Sequence, residues 1–237
     1  LSNVAYHVNC GKLVLFLQEK LKNKIEFIKQ DVKEVIYNEA GIKNLILKNK
    51  KKIKADLYID CTGFNSILKN KTQKIMLKDR LICDTAVASQ IPYKNIKKEL
   101  LPYTKCEAVE EGWVWSIPVS DRIGSGFIFN RDITNINNAK DFFVKHWNNR
   151  IKKENLKVID WTPYYDNKIW DKNVVSIGLS AGFIEPLEST GLMLAMEGIY
   201  SLCKKIYKHS YHENDENYYN IHMKMFYENS IDFVNTI

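Results

Sequence analysis

Proline and glycine are scarce in this 237-residue chain, at 5 and 10. So few backbone breakers exclude a collagen-like or Gly/Pro-rich disordered polymer. No apolar run approaches the roughly 18 residues of a membrane span, and no signal-peptide pattern is present. A cytoplasmic protein without a membrane partner is the expectation. The five cysteines, Cys10, Cys61, Cys83, Cys106 and Cys203, form no CxxC pair and have no histidine at metal-ligand spacing. That argues against a zinc site, and the odd, scattered set fits reduced thiols. GxGxxG is missing, and with it the first βαβ unit of a dinucleotide fold. GxSxG is missing too, and the histidines (His7, His146, His209, His212 and His222) are dispersed, so no hydrolase triad suggests itself.

What is there is ordinary for a soluble globular protein, with 45% hydrophobic and 27% charged residues. The net charge of +7 alone would suit nucleic acid or acidic lipid. The only dense basic run, Lys43 to Asp56, falls where a hairpin turn is predicted, so it reads as a solvated loop and no nucleic-acid partner is expected.

Along the chain, Gly11 to Asn23 carries apolar residues at helical spacing. Short β-type runs follow: "IEFIKQDV", "KEVIYN", an "EAG" turn, "IKNLILKN", the lysine turn and "KADLYIDCTGF". They predict an antiparallel meander. Its last run differs, because "LYID" is apolar and stops at Thr62-Gly63, as a strand does at the ligand-binding carboxyl edge of an α/β sheet. "CDTAVASQIPY", "KCEAVEEGWVWSIPV" and "IGSGFIFN" predict a second, mainly antiparallel sheet. "NAKDFFVKHWNNR" reads as a helix. "NVVSIGLSAG" reads as a strand entering small residues, before a helix with an apolar stripe at 192, 196, 199, 203 and 206. A second helix starts near Asn214. The chain opens on Leu1 and stops inside that helix, so residues 1–237 are read as the central part of a single domain, an internal fragment.

Three stretches could carry chemistry. In "GWVWSIP", Trp113 and Trp115 share one face of a strand and Pro118 is expected to end the pairing. The pair suits core packing, or an aromatic wall beside a planar ligand. In "DLYIDCTGF", Gly63 is either a turn residue or a point of close approach to a cofactor. In "GFIEPLESTG", Pro186 fixes a loop before a helix, Ser189 or Thr190 suits the N-cap, and the amides of Thr190 and Gly191 would face outward. Glu188 stands among Leu187, Leu192 and Met193, where desolvation would raise its pKa and make it a base. Alternatively, Glu185 and Glu188 decorate a helix start.

Together these stretches resemble one family, the flavin-dependent halogenases of the tryptophan halogenase type. "GWVWSIP" matches the WxWxIP signature, "IGLSAGFIEPLESTG" is similar to the segment with the catalytic glutamate, and "ADLYIDCTGF" to a strand leading to a flavin contact. "AYHVNCGKLVLFL", "DTAVASQIP" and "DRIGSGFIF" fit in order and spacing. Val8-Asn9 stand where the family often has Phe-Asp, and Asn65 or Ser66 where an arginine is common.

The resemblance implies an α/β (α+β) chain with a Rossmann-like FAD/NAD(P)-binding fold of the flavin monooxygenase type and an antiparallel second sheet. The N-terminal βαβ with its glycine-rich loop, the tunnel lysine and the C-terminal helices would lie outside residues 1–237. It also implies halogenation of a tryptophan or indole-like ring with reduced FAD, oxygen and chloride or bromide, through hypohalous acid. A separate flavin reductase would supply the flavin, and a homodimer is compatible. Glu188 would accept the ring proton beside Ser189, and Thr190 and Gly191 would seat the halide. Val32, Gly63, Leu179, Gly182 and Leu192 would contact FAD. Trp113, Trp115 and Pro118 would separate flavin from substrate. The isolated fragment is expected to be inactive and not to retain FAD. A flavin monooxygenase on the same scaffold is the alternative, and a basic binding module a distant third.

Overall fold

A computed structural model describes residues 6–69, 73–207 and 214–236, the side chain of Glu188 excepted. His209 and His212 lie outside the described residues. In chain order the elements are α1 (Cys10–Leu21), β1 (Val32–Asn38), β2 (Gly41–Leu47), β3 (Lys52–Ile53), β4 (Tyr58–Asp60), β5 (Lys74–Met76) and β6 (Thr85–Ile91). There follow α2 (Ile96–Glu99), β7 (Lys105–Val109), β8 (Gly112–Val119), β9 (Arg122–Phe129), α3 (Ile136–His146) and β10 (Lys157–Asp160). The last are β11 (Tyr164–Asp166), β12 (Trp170–Asp171), β13 (Val174–Ser176), β14 (Gly182–Phe183), α4 (Thr190–Tyr207) and α5 (Asp215–Thr236). The chain divides into two compact units, Leu1–Ile28 with Cys83–Trp161, and Lys29–Ile82 with Thr162–Ile237.

The first unit holds the antiparallel sheet expected from the sequence, in the order β10-β6-β9-β8-β7. Period-two alternation sorts its faces. Val87 and Ile91, Val114, and Ile123, Phe127 and Phe129 pack with Ala139 and Phe143 of α3 in one core. Asn135 caps α3 by accepting from the Asn138 amide at 2.9 Å. Asn9, one of the two departures noted after Tyr-His, caps α1 by accepting from the Lys12 amide. Pro118 does not end the pairing as expected, because β8 continues to Val119 opposite Arg122. The reason is local. β7 last pairs at Ser116, so beyond it β8 has a neighbour on one side only, and a missing N–H is tolerated there.

Among the described residues, the second unit contains three small sheets, β1-β2-β3, β14-β11-β5 and β12-β13-β4. The meander survives as β1-β2-β3, with the lysine run turning between β2 and β3 and Lys50 at φ 68°. "IEFIKQDV" is not a strand before Val32. Ile25, Phe27 and Ile28 stay exposed, since apolar alternation without a neighbouring strand leaves the backbone unpaired. In α4 the structure reverses the expected face. Thr190, Leu194, Gly198 and Leu202 are buried, whereas Leu192 and Met196 of the apolar stripe are 63% and 69% exposed. Burial follows the small residues, which let α5 approach; Tyr219 donates to the Gly198 carbonyl at 3.2 Å. α5 answers with Asp215, Tyr219, Met223 and Tyr227 on one face.

Candidate functional site

In the second unit, β4 and β13 run parallel, with Tyr58 opposite Val174 and Asp60 opposite Ser176. Each strand leads at its carboxyl end into a 3₁₀ turn, Gly63–Asn65 and Gly178–Ser180. Ligands in open α/β sheets bind outside such carboxyl ends. Gly63 and Gly178 have φ of +72° and +70°, a left-handed conformation that disfavours any Cβ. A Cβ built on either would meet nothing within 4 Å, so both turns border open space.

Asp60 organises the first turn. It is fully buried. Its Oδ1 accepts from the Thr62 amide (2.9 Å) and hydroxyl (2.6 Å), and Oδ2 accepts from the Leu68 amide (3.0 Å). Its backbone carbonyl accepts from the Ile177 amide at 2.9 Å and from the Ser180 hydroxyl. Ser66 in turn donates to the Ser180 carbonyl at 3.0 Å, joining the two turns. Tyr164 donates to the Leu179 carbonyl at 2.8 Å, and burial pushes its phenol pKa up. Burial, reinforced by Asp60, also pushes up the Cys61 thiol, which keeps it a poor nucleophile.

The segment into α4 is a 3₁₀ turn, Leu187–Ser189, that runs into the helix. Ser189 sits at φ 57°, an uncommon conformation for a residue with a side chain. Thr190 is no accepting N-cap: its hydroxyl donates to the Glu185 carbonyl and its amide to the Leu187 carbonyl. The tight turn supplies those carbonyls before the helix begins. Glu185 is buried ahead of Pro186 rather than displayed on the first helical turn. The backbone of Glu188 lies inside the 3₁₀ turn, and its side chain is outside the described residues. Phe183 ties this segment to the first glycine turn. Its ring meets Phe64 edge-on at 5.8 Å, and lies 3.9 Å from where a Cβ of Gly191 would stand.

Gly63, Leu179, Gly191 and the start of α4 are thus neighbours within one unit. Gly182 serves close strand packing, since a Cβ there would lie 2.7 Å from the Tyr164 carbonyl oxygen. Val32 is in the β1-β2-β3 sheet, opposite Leu47, and packs on the cluster that contains Tyr58 and Leu68. Leu192 points outward from the first turn of α4. Trp113, Trp115 and Pro118 belong to the first unit. The two indoles share a face of β8, with centroids 6.1 Å apart. Trp115 packs against Gly126, where a Cβ would come within 2.0 Å of its ring, so only glycine admits that placement. Pro118 is buried, and its carbonyl faces His7 Nδ1 at 2.7 Å.

Asp60, Ser180, Tyr164 and Phe183 were not singled out in the sequence. Asp60 left a signal, as the one acid closing the apolar run "LYID". The others left none, because their partners are remote in sequence. Among the described residues no group of three His, Cys, Asp or Glu side chains could hold a metal, and no helix is long and apolar enough to cross a membrane.

The fold is that of the flavin-dependent halogenases, a Rossmann-like FAD-binding class. A tryptophan 6-halogenase from Streptomyces toxytricini (SttH) aligns at 30% identity with a TM-score of 0.86, over 95% of this chain and 44% of its own. BrvH, a flavin-dependent halogenase from Brevundimonas sp., aligns at 25% identity with a TM-score of 0.88, over 96% of this chain and 47% of its own. The tryptophan 6-halogenase ThaL of Streptomyces albogriseolus is 29% identical over 209 residues, which are 86% of this chain and 39% of ThaL. The tryptophan halogenase family matches residues 2–237, and the chain belongs to it. It spans less than half the length of these relatives.

Proposed function

We propose that the full-length protein halogenates a tryptophan or indole-like ring, using reduced FAD, oxygen and chloride or bromide through hypohalous acid. The observation that carries this is the meeting, in one unit of a tryptophan halogenase chain, of two open glycine turns with the "EPLESTG" segment. Bound FAD would supply the activation of oxygen. Gly63, Gly178 and Leu179 would hold it by close backbone approach, with Val32, Gly182 and Leu192 as further contacts.

Glu188 is the proton acceptor in this scheme, because electrophilic substitution ends with loss of a ring proton to a base. Ser189 stands beside it. Thr190 and Gly191 seat the halide at a helix start, a weak amide site from which the ion can leave. The Thr190 amide already donates to the Leu187 carbonyl, so a halide there would have to compete with that bond. For Trp113, Trp115 and Pro118 the family resemblance suggests the role of a rigid aromatic face that keeps a reactive oxidant enclosed. A separate flavin reductase in the cytoplasm delivers the reduced cofactor.

The test is product mass from the full-length protein, with reduced FAD and an indole substrate, in chloride, in bromide and in neither. A mass that follows the halide is expected. A hydroxylated product without halogen would establish the monooxygenase alternative instead. The seat itself is tested by Gly178→Ala. The methyl group meets no atom, so stability should fall only by the left-handed strain of about 1–2 kcal/mol, while FAD affinity, measured by fluorescence quenching, falls by about tenfold or more. Unchanged affinity would remove this turn from the seat.

A further inference from the structure

We infer that the buried Lys69–Asp166 ion pair is a positioning device that sets the spacing of the two glycine turns; the inference rests on the reading of those turns as the flavin seat. Lys69 Nζ lies 2.8 Å from Asp166 Oδ2, and the two side chains are 3% and 0% exposed. The ammonium also donates to the Lys168 carbonyl. Burial pulls the Lys69 pKa below the usual lysine range, opposed chiefly by Asp166 and further by Asp171 and Asp60.

Each end of the pair is fastened to a different turn. Lys69 closes the first: its amide donates to the Ser66 carbonyl at 3.2 Å, and the preceding Leu68 amide donates to Asp60. Asp166 ends β11, whose hydrogen bonds hold the second. Its amide donates to the Ala181 carbonyl at 2.8 Å, and Tyr164 on the same strand donates to the Leu179 carbonyl. Ser66 and Asp60 also link the turns directly, through Ser180. The ion pair adds a further link, from Lys69 after the first turn to β11, which holds the second.

Stability does not account for such a pair, since apolar residues of similar volume commonly serve as well or better. What an ion pair adds is direction. The ammonium must meet both a carboxylate and a carbonyl, which fixes where Lys69 ends and hence where its turn stands.

The test uses the full-length protein and three variants: Lys69→Arg, Asp166→Asn, and the double variant Lys69→Met with Asp166→Leu. The measurements are the urea midpoint, FAD affinity and amide hydrogen exchange at 61–69 and 178–182. The double variant should unfold near the parent's midpoint, exchange faster at both turns, and bind FAD about tenfold more weakly or worse. Lys69→Arg keeps the charge but brings a larger, planar group into a buried site, so it should weaken FAD binding less than the double variant does. A folded double variant with parental affinity and parental exchange overturns the proposal. If the double variant does not fold, Asp166→Asn decides: faster exchange at both turns supports the device, and unchanged exchange sinks it. If the parent itself binds no FAD, the flavin reading fails separately, and exchange at the two turns still decides whether the pair couples them.

Discussion

Glu188→Gln in the full-length protein is expected to lower halogenation by about 10²- to 10⁴-fold, the range a positioned general base contributes, while oxidation of the reduced flavin by oxygen continues. Glutamine keeps the shape of the side chain but cannot take a proton at neutral pH. The residues proposed for the flavin seat, at the Gly63 and Gly178 turns, are untouched by the change. The two steps should therefore part company, and flavin oxidation would run on without halogenated product. Measuring both in one reaction separates a lost base from a lost cofactor. Parental rates of halogenation in that variant would remove Glu188 from the chemistry.

Asp60→Leu should have the largest effect on the architecture of the seat. The carboxylate receives hydrogen bonds from the Thr62 amide, the Thr62 hydroxyl and the Leu68 amide, and it is buried where water does not replace it. Each orphaned donor costs about 1–3 kcal/mol, so the three together imply a loss of about 3–9 kcal/mol, a large share of a typical domain's stability of about 5–15 kcal/mol. The first glycine turn should lose its hydrogen-exchange protection, and FAD binding should go with it. Asp60→Asn keeps the shape and one acceptor, and should fall between the two. A parental urea midpoint in Asp60→Leu would show that the turn holds itself without the carboxylate.

How much of this could be read from the sequence depended on how local the determining contacts are. Alternation in "GWVWSIP" gives the face shared by Trp113 and Trp115, and Val114 between them goes to the opposite core. The stop at Thr62-Gly63 marks the carboxyl edge, because a left-handed turn after an apolar strand is written in a few adjacent residues. The buried face of α4 was not legible. The helix is apolar on two sides, and the face that α5 approaches holds Thr190 and Gly198, residues a hydrophobicity pattern passes over. Residues 25–31 failed for a related reason: alternation provides a face, but a strand needs a neighbour. The Lys69–Asp166 pair had no sequence signal, since neither residue carries a trace of a partner brought to it by the fold.

The parallel pairing of β4 with β13 also dictates an order of events during synthesis. Tyr58 must wait for Val174, and β13 is the only strand beside β4 among those described. Between them the ribosome makes Cys83–Trp161, which has its own core and its own hairpins. Local antiparallel pairs form quickly, whereas a parallel pair across so long a stretch bears the entropy of closing it and forms late. Folding of the intervening piece shortens that closure. Until Val174 emerges, the edge of β4 that β13 will cover stays unpaired, so a translation product stalled short of β13 is expected to be prone to aggregation.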